Sequence, residues 1–111
     1  MDSAQLSSAE ALALLERKSD QTNFMELLRH GSMSVEVYRP RGEDRQGVHE
    51  LDEVYVVIAG TGTFLCDGER HAFKAGALLF VPAGVEHRFE DFSADFSTWV
   101  LFYGPRGGEE A

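Results

Sequence analysis

With 111 residues, 43% of them hydrophobic and 26% charged, the chain has the size and make-up of one globular domain around a single core. Its 19 acidic against 10 basic residues leave a formal charge of −9, which repels phosphate backbones and anionic lipid surfaces and so excludes nucleic acid and membrane as partners. No apolar run approaches the ~20 residues of a membrane span, the lone Cys66 rules out an internal disulfide and a cysteine-rich zinc site, and an N-terminus without signal-peptide character predicts a cytoplasmic protein.

Residues 1–22 form a leader and a helix. Ser7 and Glu10 have the spacing of a capping box, in which the serine oxygen and the glutamate side chain satisfy free backbone N–H groups at a helix start. Ala11, Leu12 and Leu15 then line one side of a helix of about three turns ending near Lys18. Such a helix is too short to stand alone and must pack on something.

From Asn23 the pattern changes to strands punctuated by turns. Stretches 24–29 and 34–39 flank the turn His30-Gly31-Ser32, and 40–46 (PRGEDRQ) is a polar loop whose Glu43 and Asp44 read as solvated charge without a specific role. An apolar, β-branched run at 54–58 predicts a buried strand. Gly60-Thr61-Gly62 and Asp67-Gly68 turn the chain on either side of 63–66, where Cys66 is expected to be a packed structural thiol. Stretches 69–73, 78–81, 87–90 and 98–103 bring the count to roughly eight short strands, the pattern of an all-β antiparallel sandwich or barrel over residues 23–103. The tail 104–111 (GPRGGEEA) has little to bury and is expected to be disordered.

Within this pattern two stretches carry chemistry. His49 and Glu53 are four apart on what reads as an extended segment, so alternation sends both to one face. His87 follows the break at Pro82-Ala83-Gly84, which turns the chain inward. Two imidazoles and one carboxylate suffice to hold a divalent transition metal with positions left open. His49, Glu53 and His87 are therefore the expected metal ligands, and Fe, Mn, Ni, Zn and Cu all suit that set. Tyr55, Val57 and Phe89 share the inward alternation, as cavity wall or, more often for such residues, as plain core. Tyr38 or Arg39 could place one polar group inward, Arg39 as a clamp for a carboxylate. If no metal binds, Glu53 would need Arg88 or Arg45 as partner. His30 and His71 read as surface residues.

The stretch 47–91 resembles the cupin domain. His49, three intervening residues, Glu53, six residues and Gly60 match the second half of the first cupin motif, G-x5-H-x-H-x3,4-E-x6-G. Gly76, Pro82, Gly84 and His87 match the second motif, G-x5-P-x-G-x2-H-x3-N, in register, with Asp91 in the asparagine place. Gly47 stands where the family has its first histidine, so the usual four-ligand site is reduced to three, with Gln46, Asp52, a water or a substrate atom as candidates for the fourth place. Asp52 should point away from Glu53 on a regular strand. The resemblance implies a jelly-roll barrel with the ion near its inner wall, and a small-molecule ligand or substrate. It also implies homodimer pairing through the sheets, for which the helix and the strand at 24–28 are the candidates. Three readings follow: a metal-dependent dioxygenase, isomerase or lyase, a metal-containing binding or sensing module without turnover, and a barrel that has lost its metal.

Overall fold

A computed structural model describes residues 4–18, 23–44 and 47–111. Helix α1 (Ser8–Glu16) starts at the capping box read from the sequence: the Ser7 hydroxyl accepts from the Glu10 N–H at 3.1 Å, and the Glu10 carboxylate accepts from the Ser7 N–H at 3.2 Å. Eight strands follow, β1 (Phe24–His30), β2 (Met33–Tyr38), β3 (Asp52–Ala59), β4 (Thr61–Cys66), β5 (Glu69–Lys74), β6 (Leu78–Val81), β7 (His87–Glu90) and β8 (Ser97–Tyr103). The first sheet runs β1-β2-β8-β3-β6 and the second β5-β4-β7, and the neighbours in both are antiparallel.

Alternation along the strands decides what faces the space between the sheets. From the larger sheet Tyr55, Val57, Val81 and Val100 point inward, and Phe64, Phe73 and Phe89 meet them from the smaller one. Phe96, between β7 and β8, is also buried and closes one end of this core. Gly60 is needed where the chain crosses from β3 to β4, because its φ of +95° is strained for a side chain and an added Cβ would lie 2.7 Å from the Phe96 backbone.

The outer face of the larger sheet is apolar as well. Phe80, Val54, Leu101 and Val35 stand in register across four strands, and Leu78, Val56, Trp99 and Val37 form a second row beside them. Helix α1 lies over the β1 and β2 end of this face, where Ala11 and Leu15 bury against Val37 with Met25, Leu27, Ile58 and Trp99 around them. The helix offered by the sequence for pairing between copies is thus used within the chain. At the other end Leu78 and Phe80 stay 67% and 50% exposed.

The tail also departs from the sequence reading. Rather than lacking partners, it is tied back: Gly107 N–H donates to the Glu50 carbonyl at 2.8 Å, Arg106 pairs with Glu50 at 2.6 Å, and Glu109 N–H donates to Asp52 Oδ2 at 2.8 Å. Residues of low apolar content carry no burial signal, but their backbone N–H groups can still be captured by a neighbouring carboxylate. No described helix is long and apolar enough to cross a membrane.

Candidate metal centre

Three chain segments meet at the candidate site, stapled by backbone hydrogen bonds. Glu53 projects inward from β3 and is 1% exposed. His87 opens β7, also 1% exposed, after a turn in which Gly84 takes a φ of +82° and Val85 N–H donates to the Pro82 carbonyl at 3.2 Å. Gly84 N–H donates to the His49 carbonyl at 2.9 Å, and Asp52 Oδ1 accepts from the Ala83 N–H at 2.9 Å, so the turn before His87 is held by the loop of His49 and by the start of β3. His49 itself lies in that loop, not on the strand. The alternation that put it on the face of Glu53 therefore reached the right neighbour by the wrong route.

One ligand atom each from His49, Glu53 and His87 lie within 4.8 Å of one another. His87 Nδ1 is 2.9 Å from the Val85 carbonyl oxygen, which can only accept, so Nδ1 carries the ring proton. In the neutral ring Nε2 is then a bare lone pair, and it faces Glu53 Oε1 at 2.9 Å. A carboxylate is also acceptor-only. Neither Nε2 nor either Glu53 oxygen has a hydrogen bond of acceptable geometry, although all three atoms are buried. Two lone pairs aimed at one point in a dry site repel unless a cation or a proton lies between them. Donors held at right angles by bonds of about 2.1 Å stand about 3.0 Å apart, close to this separation. The donor set therefore suits a divalent ion. In its absence burial pulls the His87 ring toward neutrality, while Glu53 and the Val85 carbonyl outweigh that and hold its pKa above the ordinary 6.5.

In front of His49 and Glu53 opens a cleft of about 290 Å³, walled also by Phe24, Glu36, Tyr38, Val100 and Phe102. Phe102 meets the His49 ring edge to face, centroids 5.1 Å apart, which fixes the imidazole from behind. His87 is not among the described residues that line this cleft.

Other sequence expectations sort out as follows. Tyr55, Val57 and Phe89 are core. Tyr38 does turn inward, but Arg39 points to Glu16 of α1 at 3.5 Å, away from the cleft. Asp52 points away from Glu53, as a regular strand requires, and serves the turn and the tail. Arg88 pairs with Glu90 at 2.9 Å, and Arg45 and Gln46 lie outside the described residues. His30 and His71 are exposed, and Cys66 is partly buried with its thiol pushed up by burial, as suits a structural residue.

Asp44 needs correction. Far from being solvated it is 8% exposed, accepting from the Tyr38 hydroxyl at 2.5 Å and from the Phe89 N–H at 2.8 Å. It ties the polar loop to both sheets beside the site. Its charge signalled solvent, and the Phe89 N–H that buries it is 45 residues away. Burial, and then this hydrogen bond, push the Tyr38 phenol well above its ordinary value. Glu36 and Phe102 also escaped the sequence reading, since a strand pattern does not say which neighbour a side chain will meet.

A family model described as the cupin domain matches residues 34–97. The chain is a cupin. An uncharacterised protein of Streptomyces coelicolor is 34% identical to it over 92 residues, 81% of this chain and 88% of the relative. A cupin-2 domain protein of Shewanella frigidimarina has the same fold at 17% identity, with a TM-score of 0.66 over 91% of this cupin and 94% of that chain. The DMSP lyase DddQ of Ruegeria pomeroyi aligns at 26% identity and a TM-score of 0.63, over 73% of this cupin and 46% of the lyase chain. These likenesses support the jelly-roll β fold of two antiparallel sheets described above.

Proposed function

We propose that this cupin holds one divalent transition metal ion through His49, Glu53 and His87, and that the cleft beside it presents a small organic molecule to that ion. The observation carrying this reading is the approach of His87 Nε2 to Glu53 Oε1, buried 2.9 Å apart beside His49, which requires a proton or a cation between the two atoms. An ion bound there would act as a Lewis acid, polarising an oxygen of the bound molecule. The protein residues would orient it: His49 and Glu53 from the metal side, Phe102, Val100 and Tyr38 from the walls.

Among the reactions open to such a site, elimination or isomerisation is favoured over dioxygenation, since one structural relative is named a lyase. The second reading is a binding or sensing module without turnover. It is favoured by Gly47, which supplies no side-chain donor where the family has a histidine. We assign the chain to the cytoplasm, with its acidic surface and single cysteine as support. We also propose that two copies pair through the uncovered apolar rows around Leu78 and Phe80, on the same outer face that α1 covers at its other end. Sedimentation of wild type and of Phe80→Asp tests that pairing, which fails if both run as monomers.

The decisive experiment is metal analysis of purified protein, wild type beside His49→Ala and His87→Ala. Stoichiometric Mn, Fe, Ni, Zn or Cu in the wild type, lost in both variants while circular dichroism is unchanged, supports the assignment. Metal content equal in all three proteins defeats it.

A further inference from the structure

Glu36 stands on the wall of the same cleft, on β2, directly across the ladder from Val100 and Glu26. It is half-buried, and no described residue gives it a hydrogen bond or an ion pair. Its nearest charged neighbour across the ladder, Glu26, takes the direct ion pair with Arg29 at 2.5 Å, so Glu36 faces the cleft with Arg29 and Lys18 acting on it only through their field. Burial, and then the charges of Glu26 and Glu53, outweigh the fields of Arg29 and Lys18 and push its pKa up, so its negative form is held at a cost that a closer cation would offset.

The rest of the wall has the same preference. Phe24, Tyr38 and Phe102 present rings, and the Tyr38 hydroxyl is already committed to Asp44, so what this tyrosine offers the cleft is its aromatic face. Phe24 already takes a cation: Lys18 Nζ lies 5.1 Å from its ring centroid. No Lys or Arg is among the described lining residues, so the described wall favours a cation over an anion.

We infer that the cleft takes a small organic ammonium compound bearing an oxygen donor, with its positive nitrogen against Glu36 and the rings of Phe24, Tyr38 and Phe102, and its oxygen toward His49 and Glu53. Rings and a carboxylate around a desolvated positive nitrogen form a cage that distinguishes charge from shape. About 290 Å³ is roughly the liquid volume of ten waters, which suits a head group on a short chain. The oxygen end rests on the metal reading, and the Glu36 contact does not.

Calorimetric titration with choline and with its uncharged isostere 3,3-dimethylbutan-1-ol separates the two, run on metal-loaded and on chelator-treated protein. Choline should bind about tenfold or more tighter than the isostere in both samples. Glu36→Gln should erase that preference while metal content stays at the wild-type level, and Phe24→Ala at the mouth should weaken choline alone. The inference is overturned by equal affinities in the wild type, by no saturable choline binding, or by a preference that survives Glu36→Gln. Loss of metal from wild-type protein with the choline preference intact counts against the metal reading only.

Discussion

His87 Nε2 and Glu53 Oε1 face each other at 2.9 Å in a fully buried site, with the Val85 carbonyl accepting a hydrogen bond from the other ring nitrogen. The strands β3 and β7 that carry them belong to different sheets, so the closing of the two sheets on each other brings a ring nitrogen and a carboxylate oxygen together. That arrangement is costly with neither a proton nor a cation between them and favourable with one.

Glu53→Gln keeps the shape but turns one acceptor into a donor, since the new amide N–H can reach the Nε2 lone pair. Metal affinity should fall by roughly 100-fold or more, beyond the 10–100-fold typical of losing an outer partner of a ligand. In chelator the variant should unfold at no lower urea concentration than wild type. A clear drop in the metal-free midpoint, or unchanged affinity in a competition assay with a metal indicator, would refute this account of the pair.

Gly47 is exposed, and a Cβ built there meets nothing within 4 Å, while its φ lies outside the left-handed region. Gly47→His should therefore fold normally and, by restoring a fourth donor, slow metal loss to a chelator by about tenfold or more. Faster loss with intact circular dichroism would mean that another group already fills that position.

The Tyr38 hydroxyl reaches Asp44 at 2.5 Å from the opposite side of the site loop. Tyr38→Phe should cost about 1–2 kcal/mol in urea unfolding, the usual penalty for stripping one donor from a buried carboxylate. It should leave choline binding near the wild-type level, because the ring remains. A cost indistinguishable from zero would show that Asp44 does not depend on this bond.

Asp52 accepts from Ala83 and Glu109 N–H groups, which hold its carboxyl below the ordinary value of 3.8. A carboxyl depressed in the folded state stabilises fully above the unfolded value, and the contribution is lost as pH falls through the folded one. Asp52→Asn should therefore destabilise the protein at neutral pH and flatten the acid limb of its stability curve below about pH 4. Hydrogen exchange at Ala83 and Glu109 should quicken. An unchanged acid limb would assign the acid sensitivity to other carboxylates.

How much of this was legible beforehand follows from where each signal is stored. The capping box at Ser7 and Glu10 and the eight strands are written in neighbouring residues, because N–H capture and side-chain alternation act over two to four positions. His49, Glu53 and His87 were legible through motif spacing, which is also a linear property. The placement of β8 between β2 and β3 is not local, and it alone brings Phe102 against His49 and Val100 beside Glu36. Asp44 shows the same limit from the other side: a charged loop residue is solvated unless buried donors come to it, and the Phe89 N–H, 45 residues away, does so only once the two sheets have closed. Local sequence thus determined which side chains each strand could turn inward, and long-range strand pairing decided which of them would share one buried space, because pairing is selected by the burial of the whole core and not by any one stretch.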